Sequence, residues 1–168
     1  MSDLVTQLAD KEAIRDLIYT YCRAVDRIDI PLGHSIWHED GVADYGAHYY
    51  QGPGRGVIDL ICKSHEALTS HSHQVSNILI RLDGNRAWSE SYVTGTMRSQ
   101  RDGKVMQIGV WGRYLDAWEK RGSRWGLVKR EVMFDHDELR DVTPAGQPSR
   151  ATRGPDDPSY AYLPGAPS

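Results

Sequence analysis

Two histidines and an asparagine fall within the run from Thr69 to Leu82, whose remaining residues suit an extended strand. With the period of two that a strand imposes, His71, His73, Val75, Asn77 and Leu79 share one face, and Ser72, Gln74, Ser76, Ile78, Ile80 and Leu82 the other. A face that alternates polar and apolar groups in this way suits the wall of a cavity with a few convergent polar groups, and it also fits a surface strand with solvated histidines. A carboxylate stands at a comparable position earlier in the chain. On a helix Asp26 lies about 40° beyond Cys22, at the edge of an apolar stripe, where a side chain looks inward. The same spacing allows Asp26 simply to end the helix or to pair with Arg23 or Arg27 at the surface. A histidine within reach of an inward carboxylate is a general base with a fixed tautomer, and the carboxylate stabilises the imidazolium that forms.

Other chemistries are less well served. His71, His73 and Asp26 offer a facial triad for a metal, but no further ligand stands at a recognisable spacing, so no metal and no cofactor is expected. The glycines between Gly52 and Gly56 lack the lysine and the strand-turn-helix order of a phosphate loop. There is no Gly-x-Ser-x-Gly elbow, and Cys22 and Cys62 sit in helical patterns where a small buried hydrophobe serves.

These residues need a scaffold to bring them together. From Asp10, taken as the N-cap, Ile14, Leu17, Ile18, Tyr21, Cys22 and Val25 recur at helical spacing, and Pro31 is expected to stop that helix. A short helical stretch is expected between Leu32 and His38, with short strands at Val42 to Tyr45 and at His48 to Gln51. Val57, Ile58, Leu60, Ile61, His65 and Leu68 predict another helix, on which His65 reads as a helix-face residue. The histidine strand follows, then strands over Ala87 to Gln100, Val105 to Glu119 and Arg124 to about Asp135, separated by turns at Asp83-Gly84, Asp102-Gly103 and Arg121-Gly122-Ser123. Helices ahead of a curved antiparallel meander make an α+β domain with the helices on one face of the sheet.

The 168 residues, 39% of them hydrophobic, are one domain's worth of chain, expected over residues 1–140 with a proline-rich tail over 141–168. Six of the eight prolines fall in that tail, which rules out long regular elements; it is expected to be disordered or to wrap a neighbour through Tyr160, Tyr162 and Leu163. A net charge of −3 gives no electrostatic case for nucleic acid or an anionic membrane. The expected partner is small and neutral. Without an apolar run of about 18 residues or a basic region followed by an apolar one, a cytoplasmic location is expected.

Five segments carry a family resemblance. They begin at Asp10 (Asp-Lys-Glu-Ala-Ile-Arg-Asp-Leu-Ile), Tyr21 (Tyr-Cys-Arg-Ala-Val-Asp-Arg), His73 (His-Gln-Val-Ser-Asn), Gly112 (Gly-Arg-Tyr-Leu-Asp) and Trp125 (Trp-Gly-Leu-Val-Lys-Arg). Over roughly residues 5 to 140 the chain resembles the SnoaL-like family of the nuclear-transport-factor-2-like superfamily, in the branch of scytalone dehydratase, bile acid 7α-dehydratase and hexachlorocyclohexane dehydrochlorinase. The resemblance implies a cone-shaped α+β barrel with the site inside the cone. It also implies that Asp26 pairs with His73, which removes a proton from substrate carbon, that Tyr21 binds or polarises substrate, and that Arg130 belongs to the site.

The function expected on these grounds is a cofactor-independent lyase, a dehydratase or related elimination enzyme, acting on a hydrophobic cyclic compound. His73 and Asp26 are the expected catalytic residues, and Tyr21, Tyr45, Tyr49, Tyr114 and Arg130 the substrate-binding ones. An isomerase on the same scaffold, or a binding or assembly module without chemistry, is the alternative. Large residues on both faces of the strands predict a homo-oligomer, and the trimers formed by the lyases it resembles favour a trimer over a dimer.

Overall fold

A computed structural model describes residues 2–163. The first helix, α1 (Ser2–Arg27), begins well upstream of Asp10, because nothing between residues 2 and 9 breaks a helix. Asp10 is therefore not an N-cap. It lies inside the helix, where its carboxylate accepts from Lys120 Nζ at 2.7 Å and Trp125 Nε1 at 2.8 Å and so ties α1 to the sheet.

Pro31 does not stop α1 either. The helix closes earlier, with the Ile28 N–H bonded to the Val25 carbonyl and the Asp29 N–H to that of Ala24. Ile28 takes the left-handed conformation (φ 54°) that usually falls to glycine, so this closure is strained. Asp29 then caps α2 (Ile30–Ser35), whose first turn contains Pro31, where a missing N–H does no harm.

The sheet has six strands. β1 (Trp37–Asp44) is followed by β2 (Gln51–Pro53), α3 (Gly54–His65) and a meander of β3 (Ser70–Asp83), β4 (Arg86–Arg101), β5 (Lys104–Arg121) and β6 (Arg124–Val142). The spatial order is β2-β1-β6-β5-β4-β3, antiparallel throughout except where β1 runs parallel to β6. The strand expected at His48 to Gln51 is instead a turn bonded back to Gly46, and β2 begins only at Gln51. The hairpin turns fall where expected, with Asp102 and Gly103 both at positive φ as their tight turn requires.

Bulges bend the long strands into a cone. One of them overturns the expected face assignment of β3: Asn77 adopts φ 51° and the register shifts between Ser76 and Leu79. His71, His73 and Val75 face inward, but beyond the bulge Ile78, Ile80 and Leu82 pack toward the core while Asn77 and Leu79 turn out. Asn77 is thus no partner of the histidines.

Helices and concave sheet face enclose a core of Ile14, Ile18, Tyr21, Val25, Trp37, Ile58, Trp118 and Leu127. Among the described residues no helix is long and apolar enough to cross a membrane.

The segment after β6 returns to its own chain. Short 3₁₀ turns at Gly154–Asp156 and Pro158–Ala161 bring Tyr160 to α1, where its hydroxyl donates to Asp29 Oδ2 at 2.5 Å and Arg23 lies 4.7 Å over its ring. Asp157 pairs with Arg27 at 3.4 Å, and Arg153 donates to the carbonyls of His65, at 3.1 Å, and Leu68. Tyr162 and Leu163 are exposed, and Pro164 and Pro167 lie outside the described residues.

Candidate active site

Asp26 occupies the last turn of α1, where the closure at Ile28 and Asp29 fixes the helix end. His73 comes from β3, which packs alongside that turn. The Asp26 carboxylate takes two hydrogen bonds from this one residue, Oδ2 from the His73 backbone N–H at 3.0 Å and Oδ1 from Nδ1–H at 2.7 Å. Main chain and ring are therefore held by the same anion, which sets the ring orientation. With Nδ1 carrying the proton, Nε2 is left as a bare acceptor.

Cross-strand from His73 stands Gly95 on β4. A Cβ there would sit 3.4 Å from His73 Nε2, so glycine keeps the reactive edge of the imidazole open. The dyad borders a cavity of about 220 Å³ lined by Tyr21, Val25, Tyr45, Tyr49, Ile61, His65, His73, Val93, Gly95, Met97, Val110, Tyr114, Val132 and Phe134. The lining is mostly apolar, which suits a hydrophobic ligand with few polar groups.

Three buried tyrosines occupy the same wall. The hydroxyls of Tyr21 and Tyr45 share a hydrogen bond at 2.5 Å, and the Tyr114 ring meets Tyr21 edge-on at 5.6 Å. Burial pushes all three phenols up, so they remain neutral hydrogen-bond donors at any physiological pH. Tyr49 is half exposed at the cavity edge.

Arg130 does not reach the cavity. It is 0% exposed, and Nε and Nη2 donate to Asp116 at 2.7 and 2.8 Å. Its guanidinium lies 4.2 Å from the Tyr21 ring centroid and 3.9 Å from that of Tyr114, sealed behind the two rings. Burial favours its neutral form, but the Asp116 carboxylate more than offsets this and holds it protonated. Arg130, expected among the substrate-binding residues, thus stands behind the tyrosine rings rather than at the cavity surface, paired with the carboxylate that a buried guanidinium needs.

The facial triad that His71, His73 and Asp26 could offer a metal does not assemble. His71 bonds the Val25 carbonyl through Nε2 at 3.2 Å while Asp26 is taken up by His73. Among the described residues no three His, Cys, Asp or Glu side chains converge on a point suited to a metal.

The SnoaL-like domain family matches residues 6–131 of this chain. The chain belongs to the SnoaL-like family. Solved structures agree on the fold. A protein from Novosphingobium aromaticivorans named as a candidate scytalone dehydratase superposes with a TM-score of 0.71 at 21% identity, over 89% of this chain and 100% of that one. LinA superposes at 0.72 and 20% identity, over 88% and 97%. A LinA-type3 hexachlorocyclohexane dehydrochlorinase from Novosphingobium barchaimii gives 0.71 at 19% identity, over 86% and 99%. No curated protein matches the sequence. The cone of helices and curved sheet is that of the nuclear-transport-factor-2-like superfamily.

In this SnoaL-like chain two cavity residues escaped the sequence reading. Gly95 falls within the strand expected over Ala87 to Gln100, and nothing before the β3–β4 register was known marked it as facing an imidazole. His65 appeared as a helix-face residue. Its signal was present, since it follows Ile58 and Ile61 on the apolar stripe of α3, but a single histidine on such a stripe is ordinary core.

Proposed function

We propose that this SnoaL-like protein is a cofactor-independent lyase that eliminates water, or a related leaving group, from a hydrophobic cyclic compound. His73 is the base. The observation that carries this reading is the double grip of Asp26 on the His73 ring and backbone beside an apolar cavity. A carboxylate holding Nδ1–H directs the free lone pair of Nε2 at a substrate C–H bond and stabilises the imidazolium that follows. A paired tyrosine hydroxyl, Tyr21 or Tyr45, donates to the oxygen on which negative charge develops. Water leaves when the proton on His73 returns to the departing oxygen, so the dyad ends as it began.

We further propose that the protein self-associates through the convex face of the sheet, where Leu79, Trp88 and Tyr92 stand 69%, 46% and 44% exposed.

The test begins with a thermal-shift screen of hydrophobic alcohols and enones. The best stabilising alcohol is then assayed for enone formation, with and without prior dialysis against a strong chelator. Conversion by wild type that persists after dialysis and disappears in His73→Ala is the expected result; near-wild-type conversion by folded His73→Ala refutes the reading.

A further inference from the structure

His65 is the cavity residue that the elimination outlined above does not use. It is only 6% exposed, it lines the cavity beside His73, and its Nδ1 is buried without a hydrogen-bond partner. An imidazole left unpaired at the edge of an apolar cavity costs free energy unless something else completes it. The ring lies nearly parallel to that of His73, 18° apart in plane with centroids 5.7 Å apart, and 4.5 Å from the ring of His71.

We propose that His65 is a second substrate-contacting residue: its neutral imidazole hydrogen-bonds a hydroxyl on the carbon next to the one that His73 deprotonates. The proposal rests on the reading of His73 as base and adds what the substrate must carry.

The surroundings keep the ring neutral. Burial, then the neighbouring His71 and His73, push it from 6.5 down to about 4, against an opposite pull from Asp26; Arg153, bonded to the His65 carbonyl, adds positive charge on the far side. A neutral ring has one donor and one acceptor. Because Nδ1 has no acceptor in reach, the proton rests on Nε2, which becomes a donor for a ligand oxygen. A cation here would repel the imidazolium that forms on His73; a neutral donor does not.

Two imidazoles side by side on one wall dictate geometry. Each reaches about 3 Å to its target, so a C–H and a hydroxyl on adjacent carbons fit beside the two rings. The C–H bond pair becomes the new C=C bond, the C–O bond breaks with its electrons on oxygen, and the proton on His73 passes to that oxygen while His65 holds it. The products are an alkene and water. The substrate class is thus a cyclic β-hydroxy carbonyl compound, in which the carbonyl makes the C–H acidic.

The test uses full-length protein labelled with ¹⁵N at histidine and two probes that differ by one hydroxyl, cyclohexanone and 3-hydroxycyclohexanone. Wild type is expected to bind the hydroxyketone about tenfold more tightly, as one added hydrogen bond of roughly 1.4 kcal/mol gives, with the His65 ring nitrogens shifting only for that probe. His65→Phe should bind both ketones equally, and His65→Gln, which keeps a donor, should retain part of the preference. Retention of the full preference in His65→Phe, or failure of wild type to bind or distinguish the two ketones, overturns the proposal. If His65→Phe does not fold, absence of a His65 nitrogen shift with the hydroxyketone in wild type overturns it equally. The His73 reading is followed separately by exchange of the cyclohexanone α-protons in D₂O. That exchange, measured in wild type and His73→Phe, should be lost in His73→Phe, so loss of exchange reports on His73 and loss of hydroxyl preference on His65.

Discussion

Two carboxylates in this protein each hold one basic residue with both oxygens, Asp116 through the Arg130 side chain alone and Asp26 through the His73 ring and backbone N–H, and their surroundings make them opposites. Asp26 and His73 are each a little over a tenth exposed at a cavity wall, whereas Asp116 and Arg130 are wholly enclosed behind Tyr21 and Tyr114. The first pair joins a helix end to a neighbouring strand and leaves one nitrogen of the base unused. The second joins β5 to β6 with a cation that cannot give up its proton. Access and a titratable partner suit an ion pair to chemistry; enclosure suits it to architecture. Removing one member of each should separate these roles.

The largest effect is expected at the cavity pair. His73→Ala should bring elimination to background without loss of the folded state by circular dichroism, and Asp26→Asn should cost on the order of 10² to 10⁴ in kcat/KM, because the base survives without its orienting anion. Equal rates for Asp26→Asn and wild type would remove Asp26 from the mechanism.

At the enclosed pair the loss should appear in stability. Asp116→Ala strands the Arg130 guanidinium, an expected cost of about 3–5 kcal/mol in urea unfolding, with the tyrosine wall disturbed only in consequence. A well-folded Asp116→Ala of unchanged midpoint would show that the guanidinium finds another partner.

Acidification should reveal the third buried base. His65 titrates near 6.5 when unfolded and about 4 when folded, so between these values the unfolded chain binds a proton that the native chain refuses. Stability is full above about pH 6.5 and falls as the pH drops toward 4, by roughly 3 kcal/mol from this group, and His65→Gln should flatten that slope in pH-dependent thermal unfolding. An unaltered slope would mean that other groups dominate acid unfolding.

The smallest effect concerns the outside of the same sheet. Replacing both Trp88 and Tyr92 by serine should lower the mass seen by light scattering while leaving the monomer's fold and the dyad untouched. A wild-type mass of 18.9 kDa at micromolar concentration would refute self-association.

Much of this was legible in the chain. The stripe ending at Val25, the alternation of β4 and β5 and the Asp-Gly turns are local signals, and they gave the α+β order of elements and put Asp26 at the edge of that stripe, where it could lean inward or end the helix. The upstream start of α1 was missed because Asp10 has the chemistry of a cap as well as of a tether, and only Lys120 and Trp125, more than a hundred residues away, decide which it is. The place of the tail was not legible for a related reason: its prolines forbid long elements, and Tyr160 and Asp157 find Asp29 and Arg27 on α1 only once the chain has folded back.

The sequence by itself determined which residues have the chemistry: a carboxylate at a helix edge, histidines on a strand, and a tyrosine on the apolar stripe of the first helix. Only the tertiary structure decided which of them meet. A bulge at Asn77 turned that residue out while His73 stayed in, enclosure made Arg130 a support, and stacking beside His73 brought His65 into the site. Periodicity gives the direction of a side chain relative to its own element, whereas a bulge, a register and a burial depth arise from contacts between elements distant in sequence, which no local spacing encodes.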